Sequence, residues 1–383
     1  MGVWTGLSLL ALLFIGCHTS TVENLEARRA FEREFPVKMD STSTFVVVDA
    51  DLTYMNDDAY ALLELLQADR MGYLKLLGVC AAGGNALVAP TAYDECAMLQ
   101  HFRRADIPVA MGTDVPLGGF KNVDSIYASL ETKPYRGGYA YLDRYTDDFA
   151  KVGGYLTSTD GYYQAPGNRP VEERAWDFMI RQVNLHPGKV PIIALGGCTN
   201  VAKAIQKDTS FANKAAGIVY MGGTFDVPGR ALPHLEFNWW YDPMAADICL
   251  KAAWRHQLVV PRDAAMTCRK GRDAYELYKQ YDQTDISHAV VAHLAPIYEN
   301  NMAEIPPFCW DQIAVAVFLC PDLVTRREVR QLAVETEERG LSCGFSYSWQ
   351  PGEGPVDAPT AEVVLQVDRE RFWRFCAELY GLR

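Results

Sequence analysis

The sequence predicts an α/β fold with an open, mostly parallel central sheet flanked by helices. Three observations predict it. Short runs rich in Val, Ile and Leu alternate with helical patterns along most of the chain. These runs are continuously apolar, as strands covered on both faces are. With 383 residues, 49% of them hydrophobic, the chain can also bury a large core.

Taken in order, Leu7–Ile15 is an apolar run as long as a signal-peptide core and shorter than the roughly 20 residues that span a membrane. Met1–Thr5 before it carries no Lys or Arg. Residues 1–20 read as a signal peptide or lipoprotein signal, with Cys17 as the lipid acceptor in the second case. The expected location is secreted, or membrane-anchored on the exported side. Residues 21–43 are polar and mixed and read as a linker; residues 44–383 form the body.

In the body, Thr44–Val48 reads as a strand and Asp57–Ala68 as a helix. Leu74–Val79 and Pro90–Arg103 repeat that pair. Further strands are expected at Ile107–Ala110, Val190–Leu195, Gly217–Met221 and Gln257–Val260. Helices are expected at Asn200–Lys207, Pro243–Ala253 and Asp311–Phe318. From Leu117 to Pro170 the pattern fails in a Gly-, Tyr- and Asp-rich stretch, read as a long loop over the site or a small subdomain. Near the end, Leu332–Glu335 and Glu362–Val367 read as a strand pair, followed by a helix at Glu370–Tyr380.

The formal net charge is −12, which repels nucleic acid and excludes it as a partner class. None of the ten cysteines forms a CxxC pair, so a zinc ribbon or thioredoxin-like site is not expected. Export permits one or two disulfides, without assigning partners. Cys80, Cys198, Cys249 and Cys320 lie in apolar surroundings and read as buried side chains.

The most informative segment is Val48-Asp49-Ala50-Asp51-Leu52-Thr53-Tyr54-Met55-Asn56-Asp57-Asp58. A buried strand runs into two acids, and two more open a helix. Open α/β sheets bind ligands at the carboxyl ends of their strands. Four acids there repel one another unless a hard cation sits among them, and all-oxygen ligation points to calcium or magnesium. Helix capping by Asp57 and Asp58 would explain those two acids but not Asp49 and Asp51.

This segment resembles two families. Asp49-x-Asp51-x-Thr53 is similar to the nucleophile motif of haloacid-dehalogenase-type phosphatases, but no downstream Lys and acidic pair accompany it. The whole segment resembles the metal motif of the inosine-uridine-preferring nucleoside hydrolases. Further resemblances follow in order: Gly83-Gly84-Asn85, Asp106–Gly112, Gly196-Gly197-Cys198-Thr199-Asn200, Met221-Gly222-Gly223 with Glu236-Phe237-Asn238, and Trp310-Asp311. They cover about Thr44 to Tyr380.

The resemblance implies a Rossmann-like fold, a homodimer or homotetramer, and Ca²⁺-dependent cleavage of the N-glycosidic bond of a ribonucleoside. It implies that Asp51, Asp58, Asp311 and the Thr199 carbonyl hold Ca²⁺, and that Asp51 takes the proton of the attacking water. Asp57, Asn85, Glu236 and Asn238 would bind ribose hydroxyls, and Trp310 would face the base. The residues alone leave other readings: Asn85 as a positive-φ turn residue, Asn200 as a helix cap, Asp49 as loop support, Phe237 as core. Glu236 and Asn238 share a face if their segment is extended.

The chain departs from the family in four places. The metal loop is two residues longer, with Met55 where longer variants carry an Asp. Arg230 stands where a ribose-contacting Asn is expected, a His-Gly segment is absent from Leu117–Pro170, and Trp310 replaces a His. An indole cannot protonate a leaving base. Two alternatives to the hydrolase remain at this stage: a catalytically weak calcium- and ribose-binding protein of the same fold, and the phosphatase.

Overall fold

The computed structural model describes residues 23–37, 39–131, 134–138, 166–229, 232–269, 271–299, 309–337 and 340–383. The signal segment with Cys17, Arg230, and residues 139–165 of the Gly- and Tyr-rich stretch lie outside these. The chain begins with a helix, α1, over 23–34. There follow β1 (Phe45–Ala50), α2 (Asp57–Arg70), β2 (Lys75–Ala81), α3 (Val88–His101), β3 (Val109–Met111), α4 (Val123–Ile126) and α5 (Ala175–Leu185). The middle holds β4 (Pro191–Ala194), α6 (Thr199–Lys207), α7 (Phe211–Lys214), β5 (Gly217–Met221), α8 (Phe237–Tyr241), α9 (Pro243–Lys251) and β6 (Gln257–Val260). The chain ends with α10 (Arg262–Thr267), α11 (Arg272–Gln280), α12 (Asp285–Glu299), α13 (Trp310–Leu319), β7 (Val324–Val334), β8 (Ser346–Trp349), β9 (Thr360–Val367) and α14 (Arg369–Gly381).

The strands form one sheet in the order β3-β2-β1-β4-β5-β6-β9-β7-β8. It is parallel from β3 to β9, and β7 runs antiparallel to both β9 and β8. The chain steps outward from β1 to β3 and then returns to β4 on the other side of β1. Ligands bind at such a switch point, and here it carries the acids.

Alternation along β1 sorts its side chains to the two faces. Val46, Val48 and Ala50 join the core under α2, α3, α13 and α14, while Val47 joins the core under α5, α6 and α9. All three valines are fully buried, and each contributes about 1.5–3 kcal/mol. This two-sided burial is why the run reads as continuously apolar.

Four expectations need correction. β1 extends to Ala50, so Asp49 sits inside the strand, opposite Cys80 and Ala194. The segment read as a linker contains α1: Phe31 and Phe35 are buried, with ring centroids 5.6 and 5.4 Å from that of Phe375. Only Phe31 within α1 and Phe35 just past its end are buried, too few to show as a periodic pattern. The strand pairing is offset: Val324–Gln331 pairs with β9, and Leu332–Val334 with β8. The charged Arg326-Arg327-Glu328 on exposed β7 hid that strand. Finally, the nine cysteines among the described residues are all buried, and no two of them form the disulfides that export permits. No described helix is long and apolar enough to cross a membrane.

Candidate active site

Two helix starts and one strand end bring the acids together. Asp57, Asp58 and Asp311 place carboxylate oxygens within 4.8 Å of one another, at the first turns of α2 and α13. Helix N-termini favour such anions. The cap of α2 is Asn56, whose Oδ1 accepts from Ala59 N–H at 3.3 Å and whose Nδ2 donates to Asp58 at 2.8 Å. Capping therefore does not account for Asp57 and Asp58. Asp51 joins them: its backbone N–H donates to Asp58 Oδ1 at 3.2 Å. Burial, followed by the neighbouring negative charges, pushes the carboxyls of Asp58 and Asp311 well up. Burial, opposed by the Asn85 amide and reinforced by the charge of Asp57, brings Asp51 to about 7. Asp51 Oδ1 and Asp311 Oδ1 are buried without a hydrogen-bond partner. Crowded carboxylates with orphaned oxygens are chemically suited to a hard cation. Asp57, which the resemblance gives to ribose, stands in the same cluster.

The end of β2 closes one side. Asn85 donates its backbone N–H to Asp51 Oδ2 at 2.5 Å and its side-chain amide to Asp58 Oδ2 at 3.4 Å. It is not among the positive-φ residues, so the turn-residue reading fails. Gly84 is required for another reason: a Cβ there would run into the Asp51 carboxylate. The long metal loop takes its left-handed residue at Tyr54, φ 45°, an unusual position for a bulky side chain. Two contacts hold it there. Tyr54 N–H donates to Asp94 at 2.8 Å, and Met55, in place of the variant Asp, is buried in the core.

The end of β4 closes the other side. Asn200 is no cap: α6 has Cys198 at its cap position, with no side-chain bond. Asn200 Nδ2 instead donates to Asp49 Oδ1 at 2.8 Å and to the Ala81 carbonyl at 3.1 Å, tying β4, β1 and β2 together. Asp49 is fully buried, and burial pushes it to about 8. A nucleophile locked under Asn200 cannot reach a phosphoryl group, which removes the phosphatase reading. Thr199 starts α6 in the turn whose Gly196 packs on Asp51; its hydroxyl donates to Asp242 at 2.7 Å.

Glu236 and Asn238 do not alternate along a strand. Glu236 caps α8, accepting from Gly223, Asn238 and Trp239 N–H at 2.9, 2.8 and 3.2 Å. Burial raises its carboxyl to about 7 against the pull of these amides. Asn238 lies in the first turn of α8, and its Nδ2 donates to the carbonyls of Leu195 and Met221 at 2.6 and 3.0 Å. Both residues thus face the strand ends by capping geometry rather than by alternation. Phe237 is half-buried beside Tyr135, ring centroids 5.0 Å apart. Gly138 N–H bonds Gly84 O at 2.6 Å, so the described part of the Gly- and Tyr-rich stretch reaches the site rim.

Sequence reasoning missed two groups. Glu95 on α3 is fully buried, neither of its oxygens has a hydrogen-bond partner, and burial with the charge of Asp49 pushes it well up. Its signal was an acid pair, Asp94-Glu95, inside an otherwise apolar helix. Arg262 opens α10, with its guanidinium carbon 5.1 Å from the centroid of the half-buried Trp310 ring. Its signal was a charge at the first position of the helix that follows β6 and Pro261.

Comparison with known proteins bears on the same region. A family model described as "Inosine-uridine preferring nucleoside hydrolase" matches residues 46–374. "Probable uridine nucleosidase 1" of Oryza sativa subsp. japonica is 28% identical over 293 residues, 74% of this chain and 80% of its own. The pyrimidine-specific ribonucleoside hydrolase RihA of Salmonella typhi is 25% identical over 341 residues, 87% of this chain and 97% of its own. Among solved structures, a plant nucleoside hydrolase superposes with a TM-score of 0.69 at 24% identity, covering 89% of this chain and all of that one. That likeness shows the fold.

Proposed function

We propose a cofactor and a division of roles from one premise: the chain belongs to the inosine-uridine-preferring nucleoside hydrolase family and is a hydrolase of the N-glycosidic bond of ribonucleosides. The cofactor is Ca²⁺, held by Asp51, Asp58, Asp311 and the Thr199 carbonyl, with Asp57 beside them. The observation that carries this is the buried acidic cluster with its orphaned oxygens on Asp51 and Asp311. When bound, such an ion lowers the pKa of water and makes it a nucleophile near neutral pH.

Asp51 takes the proton of the attacking water on Oδ1, the oxygen left without a partner. Asn85 holds the other oxygen, so the base keeps one orientation. Asp57, Asn85, Glu236 and Asn238 grip ribose hydroxyls. The Asn238 amide nitrogen is committed to two carbonyls, so its oxygen is the group that meets a hydroxyl. A site built this way rejects 2′-deoxyribosides, which leave those groups unpaired. Export with residues 1–17 to 1–22 removed, or with Cys17 lipidated, and assembly as a dimer or tetramer complete the proposal. N-terminal sequencing and sedimentation check them.

The deciding experiment is base release from a nucleoside panel with and without chelator, with elemental analysis of protein purified without one. One Ca²⁺ per chain and chelator-sensitive release are expected. Zinc, or full activity in chelator, would remove the cofactor from the scheme.

A further inference from the structure

We propose that Arg262 receives the departing nucleobase, supplying a fixed positive charge and hydrogen-bond donors to the negative charge that builds as the C1′–N bond breaks. This rests on the nucleoside hydrolase reading above and adds the leaving-group end of the reaction. Arg262 comes two residues after the end of β6, across Pro261, so it stands at the carboxyl edge of the sheet with the rest of the site. Its guanidinium carbon is 5.1 Å from the Trp310 ring centroid, and Trp310 precedes the clustered Asp311. Toward the ribose wall, its charge acts on the buried Glu236 carboxyl. Two bonds fix the residue: its N–H donates to the Gly223 carbonyl and its Nε to the Pro228 carbonyl, both at 2.9 Å. The guanidinium is thereby held beside the Trp310 ring.

The chemistry calls for such a group. The Trp310 indole donates a hydrogen bond but no proton. Arginine stays charged at every working pH, and its planar fork matches the carbonyl oxygens over which a pyrimidine anion spreads its charge. The step balances without an acid. Water oxygen bonds to C1′ and its proton goes to Asp51. The C1′–N electron pair leaves on the base nitrogen. The base departs as an anion hydrogen-bonded to Arg262 and is protonated by solvent, while Asp51 returns its proton to solvent. Bases that leave as stabilised anions are therefore favoured.

The test uses the Ca²⁺-supplemented full-length protein with uridine and 4-nitrophenyl riboside, whose phenolate needs no stabilisation. Arg262→Met should lower kcat on uridine about 10²–10³-fold, the range for losing one pre-aimed donor, and change the nitrophenyl substrate less than about tenfold. Arg262→Lys, which keeps the charge and tolerates the site if the Met variant does not fold, should lose only about tenfold on uridine and almost nothing on the nitrophenyl substrate. Equal losses on both substrates in the Lys variant would show that Arg262 merely positions Trp310 and Glu236, and overturn the proposal. So would uridine turnover that ignores Arg262 and falls with rising pH as a protonated donor is lost. Wild-type cleavage of the nitrophenyl substrate without uridine cleavage overturns the role of Arg262 and leaves the hydrolase standing. Cleavage of neither sinks both.

Discussion

The two walls of the site are built differently. The acidic wall gathers Asp51, just past β1, with Asp57, Asp58 and Asp311 from the first turns of α2 and α13, and is closed by backbone: amides of Asp51 and Asn85 on carboxylates, and a glycine with no room for a Cβ. The base wall comes from the first residues of α10 and α13, where half-buried Arg262 and Trp310 meet by their side chains. A wall closed by main-chain amides and a glycine resists change, because any shift moves the backbone around it. A wall made of side chains at helix starts can be rewritten residue by residue. The Trp310 departure falls on the second wall.

That contrast can be broken first at the acidic wall. Asp51→Asn should lower turnover by about 10²–10⁴-fold or more with the protein still folded, since an amide neither takes a proton nor keeps the charge. Turnover within a few-fold of the parent would remove Asp51 as the base. At the other wall, the leaving group should dominate: nitrophenyl riboside should turn over about 10²–10⁴-fold faster than inosine, because Trp310 stands where the family often has a His. Equal rates across pH would reveal an acid elsewhere.

Thermal melts against pH sharpen the comparison. In cation-free protein, Asp49, Asp51 and Glu236 sit at about 8, 7 and 7, above the roughly 4 of unfolded carboxyls. Between about pH 4 and about pH 8 the folded state holds more protons than the unfolded one. Stability should therefore fall as pH rises through that window, and added Ca²⁺ should restore most at its upper end. A melting temperature that climbs with pH without calcium would contradict the buried-acid account. Smallest, Asn200→Ala should cost about 1–3 kcal/mol in denaturant unfolding, by stranding Asp49. A change near zero would mean that water replaces the amide.

The contrast also explains what the sequence revealed. β5 and β6 were legible to the residue, because after its first residue each is an unbroken apolar run. Asp51, Asp58 and Asp311 were legible as one set only through the motifs that resemble the family, because a helix start alone would account for Asp58 and Asp311. Asn200 was misread because a cap and a cross-strand tie use the same residue type, and only the neighbouring strand decides between them. Glu236 was misread for the converse reason: its cap lies in a short helix that Phe237-Asn238-Trp239 does not announce. α1 was invisible because two aromatic contacts with distant α14 hold it. Arg262 drew no reading from the sequence, since nothing local says that Trp310 lies beside it.

The nine buried thiols have a consequence for the lifetime of the protein. Burial holds those of Cys80, Cys249 and Cys376 well above their ordinary range, Cys96 at about 12, and Cys268 and Cys320 at about 11. Thiolates are the reactive form, so the native chain is close to inert toward oxidants and alkylating agents. Unfolding releases all nine at once. In an oxidising medium the opened chain would be trapped by mispaired crosslinks before it could close again, and its endurance becomes a matter of how rarely it opens rather than of equilibrium.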